Sequence, residues 1–190
     1  VVTVSHYRLS IHLTTAILII SSIFWLIKNI NAQNNVSFFN FSKKNIYFQI
    51  LLFLIFFQII LGAFVSGLDA GRIYQTWPMM GNNFVPNDLQ FKNLKEILEF
   101  DNHSLVQFYH RTLAYIIILY SIFLAVYVYK KKLVHLFKPT KILLFILSLQ
   151  VILGIYTLVS GLNIYFASLH QITSVMLVFS ALNLYYFRAK

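Results

Sequence analysis

Five runs of about 20 mostly apolar residues, each long enough to cross the hydrocarbon layer of a membrane, make up most of this chain. They lie at about 9–28, 46–66, 107–129, 141–161 and 166–187. The runs are too long for barrel strands and do not alternate apolar with polar residues, so an all-α polytopic membrane bundle of five transmembrane helices is the fold they permit. Composition agrees, because 59% of the 190 residues are hydrophobic and 11% charged, too few polar groups to cover such surface in water. Pro139 stands just before the fourth run and is expected at that helix's N-terminus. Gly161-Leu162-Asn163 predicts a tight hairpin between the fourth and fifth runs, making those helices antiparallel neighbours.

A net charge of +10 would suit a nucleic-acid binder if it formed one patch, but the basic residues fall in short connections between apolar runs. One side of the bundle carries Lys28, Lys43, Lys44, Lys130, Lys131, Lys132, Lys138, Lys141, Arg188 and Lys190 and no acid. The other carries Arg8, Arg72, Lys92, Lys95 and Arg111 together with Asp69, Asp88, Glu96, Glu99 and Asp101. The first side, with the C-terminus, is therefore expected in the cytoplasm or its equivalent, and the second outside. The lysine clusters read as orientation signals and not as a nucleic-acid or lipid-headgroup site.

The outer side has one long connection, 67–106, containing Thr76-Trp77-Pro78-Met79-Met80-Gly81 and a short helix expected at 90–99 with Lys95 and Glu99 at i,i+4. Tyr74 and Trp77 suit either a functional lid or interfacial anchors. There is also an internal repeat. Gln58-Ile59-Ile60-Leu61-Gly62 leading to Val65-Ser66-Gly67-Leu68 is matched by Gln150-Val151-Ile152-Leu153-Gly154 leading to Val159-Ser160-Gly161-Leu162. Each copy precedes a helix that opens with a histidine, so His110 and His170 are expected to be equivalent partners facing each other.

Histidine inside a membrane helix is costly to leave without a role. His12, His110 and His170 each lie near the outer start of an apolar run, and each is followed four residues later by a small residue, Ala16, Ala114 or Ser174. That spacing clears a space beside each imidazole on one helix face, as a flat macrocycle requires, although small residues also serve plain helix packing. The chain has no cysteine, which leaves imidazole as its soft metal ligand, and no acid within a span. A haem held between two imidazoles needs neither thiolate nor carboxylate, whereas zinc prefers both more ligands and other types. Hydrogen-bonded structural histidines remain the competing explanation. Arg111, beside His110 at the membrane edge, is suited to pair with a haem propionate and equally to snorkel toward headgroups. His6, His103 and His135 lie in polar flanks and are assigned no role. No nucleotide-binding glycine motif is present, and nothing resembles a catalytic triad or a proton-coupled carboxylate within the membrane.

Four ordered stretches resemble the haem A synthase family, in its cysteine-free alphaproteobacterial and mitochondrial branch. They are Val4-Ser5-His6-Tyr7-Arg8-Leu9 with His12-Leu13, Gly67-Leu68-Asp69-Ala70-Gly71 with Thr76-Trp77-Pro78, Leu105-Val106-Gln107-Phe108-Tyr109-His110-Arg111, and Leu169-His170-Gln171. The resemblance implies eight membrane helices in two four-helix halves, of which this chain matches the fourth to the eighth. Residues 1–30 would then be the last helix of the substrate half, 31–45 a cytoplasmic-side linker, and 46–190 a four-helix haem b bundle with outer loop 67–106. It implies haem b as cofactor between His110 and His170, with Arg111 beside it, and His12 as one ligand of the substrate haem O. The second haem O ligand and a catalytic glutamate would lie outside this chain. The implied reaction is oxidation of the C8 methyl of haem O to a formyl group, giving haem A for cytochrome oxidase in a bacterial or mitochondrial inner membrane. Implied partners are membrane lipid, haem O synthase, cytochrome oxidase assembly proteins and an electron acceptor. The chain begins at Val1 and has its first methionine at Met79, so it is expected to be part of a longer protein and inactive alone. An electron-transferring b-type cytochrome subunit and a structural subunit with packing histidines are the alternatives.

Overall fold

The computed structural model describes residues 5–33, 35–91 and 93–190; Val4 and Lys92, which enter the motif and the charge count above, lie outside them. Five long helices carry the fold: α1 (His6–Ala32), α2 (Ile46–Gly67), α4 (His103–Lys130), α5 (Val134–Val159) and α6 (Ile164–Ala189), with a four-residue α3 (Leu94–Ile97) in the outer connection. All five long helices are apolar and long enough to cross a membrane, and the chain is an integral membrane protein. Large side chains such as Ile11, Phe53, Leu119, Phe145 and Ile172 point outward, forming a surface suited to lipid.

The helices close into a ring. α2 packs against α4 and α6, and α5 packs against the same two, while neither diagonal pair, α4 with α6 or α2 with α5, packs extensively among the described residues. α1 lies outside the ring against α2 and α6. Inward stripes at helical spacing fill the core: Phe48, Leu52, Ile55 and Ile59 on α2; Leu113, Ile117, Ser121, Leu124 and Val128 on α4; Leu177, Ala181 and Leu184 on α6. Ser121, Thr140 and Ser180 are buried among them, small enough for close approach of the backbones.

The helix boundaries run beyond those read from hydropathy, for local reasons. α4 starts four residues before Gln107 because Asn102 caps it, its side chain accepting from the Leu105 N–H at 3.1 Å. Pro139 is a correction: it sits inside α5, not before it. A proline at the sixth position forfeits the bond to the His135 carbonyl, and the buried Leu136, Pro139 and Thr140 hold the extra turn in place. α3 is shorter than the segment at 90–99; Asn93 caps it and bonds Glu96 reciprocally, and its end at Ile97 leaves Glu99 outside the helix. α5 ends as the hairpin motif predicts, with Gly161 at φ +72°, Gly161 N–H bonded to Leu158 and Leu162 N–H bonded to Thr157.

The inner end of the bundle is tied by side chains to the backbone of the α1–α2 connection. Trp25 and Asn29 both donate to the Val36 carbonyl, and Tyr186 donates to Lys28 O. Tyr185, fully buried, donates to Phe38 O at 2.6 Å and accepts from Gln49 at 2.8 Å. Replacing Tyr185 by Phe leaves a buried carbonyl and a buried amide without this partner. The substitution is expected to cost about 1–3 kcal/mol, measured as an earlier unfolding midpoint in a detergent-denaturation titration.

Candidate functional site

His12, His110 and His170 are the seventh, eighth and seventh residues of α1, α4 and α6, so all three lie about 9–10 Å along helices that start on the same side. Contacts between the helix ends confirm the shared side: His6, the first residue of α1, packs on Gly67 at the end of α2, and Leu162, just before α6, packs on Gly71. His110 and His170 share a setting that His12 lacks. They are half-buried on the diagonal helices α4 and α6. His12 is exposed on the outer side of α1.

Each of the paired imidazoles rests on the helix preceding its own, against the two residues that open the internal repeat. Gln58 and Gly62 lie four apart on one face of α2, and Gln150 and Gly154 do the same on α5. A Cβ at Gly62 would stand 3.1 Å from His110 Cε1, and one at Gly154 2.9 Å from His170 Cε1, so each ring lies against bare glycine backbone. The Gln58 amide nitrogen is 3.1 Å from Nδ1 and 3.3 Å from Nε2 of His110, and it donates to the His110 carbonyl at 3.0 Å. His170 Nδ1 lies 3.1 Å from the Gln150 carbonyl oxygen, and the Gln150 amide nitrogen is 3.3 Å from Nε2. Gln58 Oε1 and Gln150 Oε1 are buried without a hydrogen-bond partner.

The outer connection closes over this end of the bundle. Arg111 donates to the carbonyls of Tyr74 at 2.6 Å, Thr76 at 2.8 Å and Met79 at 3.4 Å, and the buried Gln107 donates to Tyr74 O at 2.9 Å. Tyr109 donates to Ile97 O at 2.8 Å. Thr76 organises the loop's own turn, donating to Met79 O and accepting from Gly81 N–H, where φ is +70°. Tyr74 donates to Asp88 at 2.6 Å. An open cleft of about 310 Å³ lies on this loop, lined by Asp88, Glu99, Asp101 and His103 among others, and neither paired imidazole lines it.

The sequence matches the cytochrome oxidase assembly protein family (COX15-CtaA) over residues 1–182. The chain belongs to this family. Among its relatives, the haem A synthase of Pelagibacter ubique (strain HTCC1062) is 41% identical over 177 residues, covering 93% of this chain and 51% of the relative. The haem A synthase of the Wolbachia of Brugia malayi is 37% identical over 180 residues, covering 94% and 52%, and that of Rickettsia prowazekii 34% over 177, covering 92% and 52%. The chain thus spans about half the length of the curated relatives it matches. It resembles haem A synthases, as the four sequence stretches lead one to expect.

A haem is the group that these family relatives imply, and the residues present fit it. Two imidazoles stand on diagonal helices, each with its back recessed into a glycine and with buried amide oxygens still unpartnered beside it. No cluster of three or more His, Cys, Asp or Glu forms a metal site among the described residues, so a group needing two protein ligands suits the pair better than a bare ion. Sequence reasoning quoted Gln58, Gly62, Gln150 and Gly154 as a repeat without assigning them work; their i,i+4 spacing was the available signal. It also passed over His6, whose Nε2 approaches Asp101 to 3.0 Å.

Replacing Arg111 by Ala removes three of the bonds holding the 74–79 segment, and limited proteolysis of the outer loop in detergent-solubilised protein is expected to speed up about tenfold, with Arg111→Lys intermediate. The Tyr74–Asp88 bond has its own pH window. Burial pushes the Asp88 carboxyl up, but hydrogen bonds from Ser104 and Tyr74 outweigh it and hold it below 3.8, while the bond to Asp88 pushes the Tyr74 phenol above 10.0. A carboxyl held low stabilises the loop above its ordinary range and loses that effect as pH falls through its own value; a phenol held high loses it only as pH rises. Hydrogen exchange around Tyr74 is therefore expected to show loop protection constant between these limits and declining outside them.

Proposed function

We propose that this chain is the haem b-carrying portion of a haem A synthase, an oxidoreductase that converts the C8 methyl of haem O to a formyl group to yield haem A for cytochrome oxidase. The observation that supports the reading is the duplicated seat, in which the Gln-x-x-x-Gly faces of α2 and α5 hold His110 and His170 in the same way on diagonal helices. Residues 46–190 form the cofactor bundle, residues 1–30 supply His12 to the substrate haem O, and 31–45 join them on the cytoplasmic or matrix side. Haem b, when bound, supplies a one-electron iron centre in a site of low dielectric.

The chain's residues do the rest. His110 and His170 bind, Gln58 and Gln150 orient them, and Gly62 and Gly154 let the rings withdraw far enough to leave room between α4 and α6. Arg111 keeps Nε–H and one terminal N–H uncommitted among the described residues, enough to meet a propionate while its other donors hold the loop. The loop so held keeps bulk water from the outer mouth of the site. The membrane setting suits a substrate with a long isoprenoid tail, received from a haem O synthase and passed on toward oxidase assembly, with electrons leaving to an external acceptor. The acid-free lysine clusters support an orientation with the C-terminus in the cytoplasm or matrix and the histidines toward the outer face.

Protein extracted in detergent is expected to give the optical spectrum of a low-spin bis-histidine haem, identified as haem b by extraction and mass analysis. Gly154→Ala is expected to lose more of it than Gly62→Ala, because the added carbon meets a rigid ring at 2.9 Å in one case and 3.1 Å in the other. Cells expressing only these 190 residues are expected to make no haem A, since His12 has no partner histidine within them. Haem A in their extracts would sink that part of the reading, and a haem-free spectrum would sink the whole.

A further inference from the structure

The two imidazoles are repeat-related and each Nε2 lies 3.3 Å from a glutamine amide nitrogen, yet their Nδ1 partners are chemically opposite. A backbone carbonyl oxygen only accepts, so the ring nitrogen of His170 that faces Gln150 O at 3.1 Å, Nδ1, is the one that carries the proton. The lone pair of His170 is thereby assigned to Nε2, the state in which an imidazole is ready to bind a metal. At His110 the same reasoning gives the reverse. The Gln58 amide group that meets the His110 carbonyl at 3.0 Å must be its NH2, because that oxygen only accepts. The same nitrogen is 3.1 Å from Nδ1 and 3.3 Å from Nε2, so Nδ1 of His110 meets a donor where Nδ1 of His170 meets an acceptor, and no carbonyl fixes the His110 proton there. The acceptor of that amide, Gln58 Oε1, is buried without a partner.

We propose that the two axial ligands are unequal: the Gln150 backbone carbonyl makes His170 the anchoring ligand, and the Gln58 side chain is a positioning residue that makes His110 the exchangeable one. The inference rests on the haem reading above. Because the anchor at His170 is backbone, no side-chain substitution at Gln150 removes it. Because the control at His110 is a side chain, one substitution there resets it. A carboxylate at position 58 accepts where the amide donates, and so fixes the His110 proton on Nδ1 and frees Nε2 for iron.

The test uses protein extracted from membranes with its haem in place. His110→Ala is expected to keep its haem as a high-spin, five-coordinate species, and His170→Ala to lose most of it. Added imidazole is expected to restore occupancy to His170→Gly, showing that the fold survives. In the ferrous protein, Gln58→Glu is expected to slow carbon monoxide binding about tenfold, because His110 must leave for it to enter. Equal haem loss from the two histidine variants, or an unchanged rate in Gln58→Glu, overturns the inference while the haem reading stands. If the histidine variants do not fold, Gln58→Glu decides alone. A wild-type protein without a bis-histidine haem overturns both.

Discussion

The site depends on the contact between an imidazole ring and a helix backbone that carries no side chain. At Gly62 and again at Gly154 the distance to the nearest histidine ring atom is so short that an added methyl group would move the ring. That contact fixes three things together. It sets how closely α2 approaches α4 and α5 approaches α6, it turns each ring to a defined face, and it holds each ring back beside the helix that precedes its own. Since α4 and α6 do not themselves pack extensively among the described residues, the spacing of the two rings follows from these two close approaches.

Such a space is only useful if both ends of the ring of helices are held, and the two ends are held by different means. At the inner end, Trp25, Asn29 and Tyr185 reach from helices to loop carbonyls and Tyr186 reaches a carbonyl near the end of α1, so in the aromatic residues bulk and hydrogen bonding act together. At the outer end the work is done by Gln107 and Arg111, residues on the same helix as His110, which grip successive carbonyls of the loop. With no cysteine in the chain, this set of charge-assisted and amide bonds, together with Leu162 seated on Gly71, is what holds the loop down. Arg111 therefore has structural work whether or not a propionate lies beside it.

How much could be read from the chain alone follows from the range of each interaction. Spans, their order and the shared depth of the histidines were legible because hydropathy and helical rise are local, and the Gly161 hairpin because its backbone demands glycine at positive φ. That His110 and His170 are seated alike was reachable through the repeat. What was not legible needed a second helix. Hydropathy could not say that Gln58 faces His110 through its amide nitrogen alone while Gln150 faces His170 through both its backbone carbonyl and its amide nitrogen, since both copies read the same in sequence. The extra turn of α5 through Pro139 depended on Leu136 finding a buried place, and the role of Arg111 depended on where a loop of some thirty residues came to rest.

His12 marks the limit of the same geometry. It has the depth of the other two histidines and a small residue four positions on, so by local criteria it belongs with them. Yet the helices that pack against α1 are α2 and α6, both of which follow it in the chain, whereas His110 and His170 are each seated by the helix before their own. None of the six glycines offers His12 a backing: Gly67, the one nearest α1, is taken up by His6. A ring without that support keeps its rotamers and its exposure, and it can fix no ligand plane by itself. The chain therefore contains two imidazoles seated alike on glycines of its own helices and one that has no such seat.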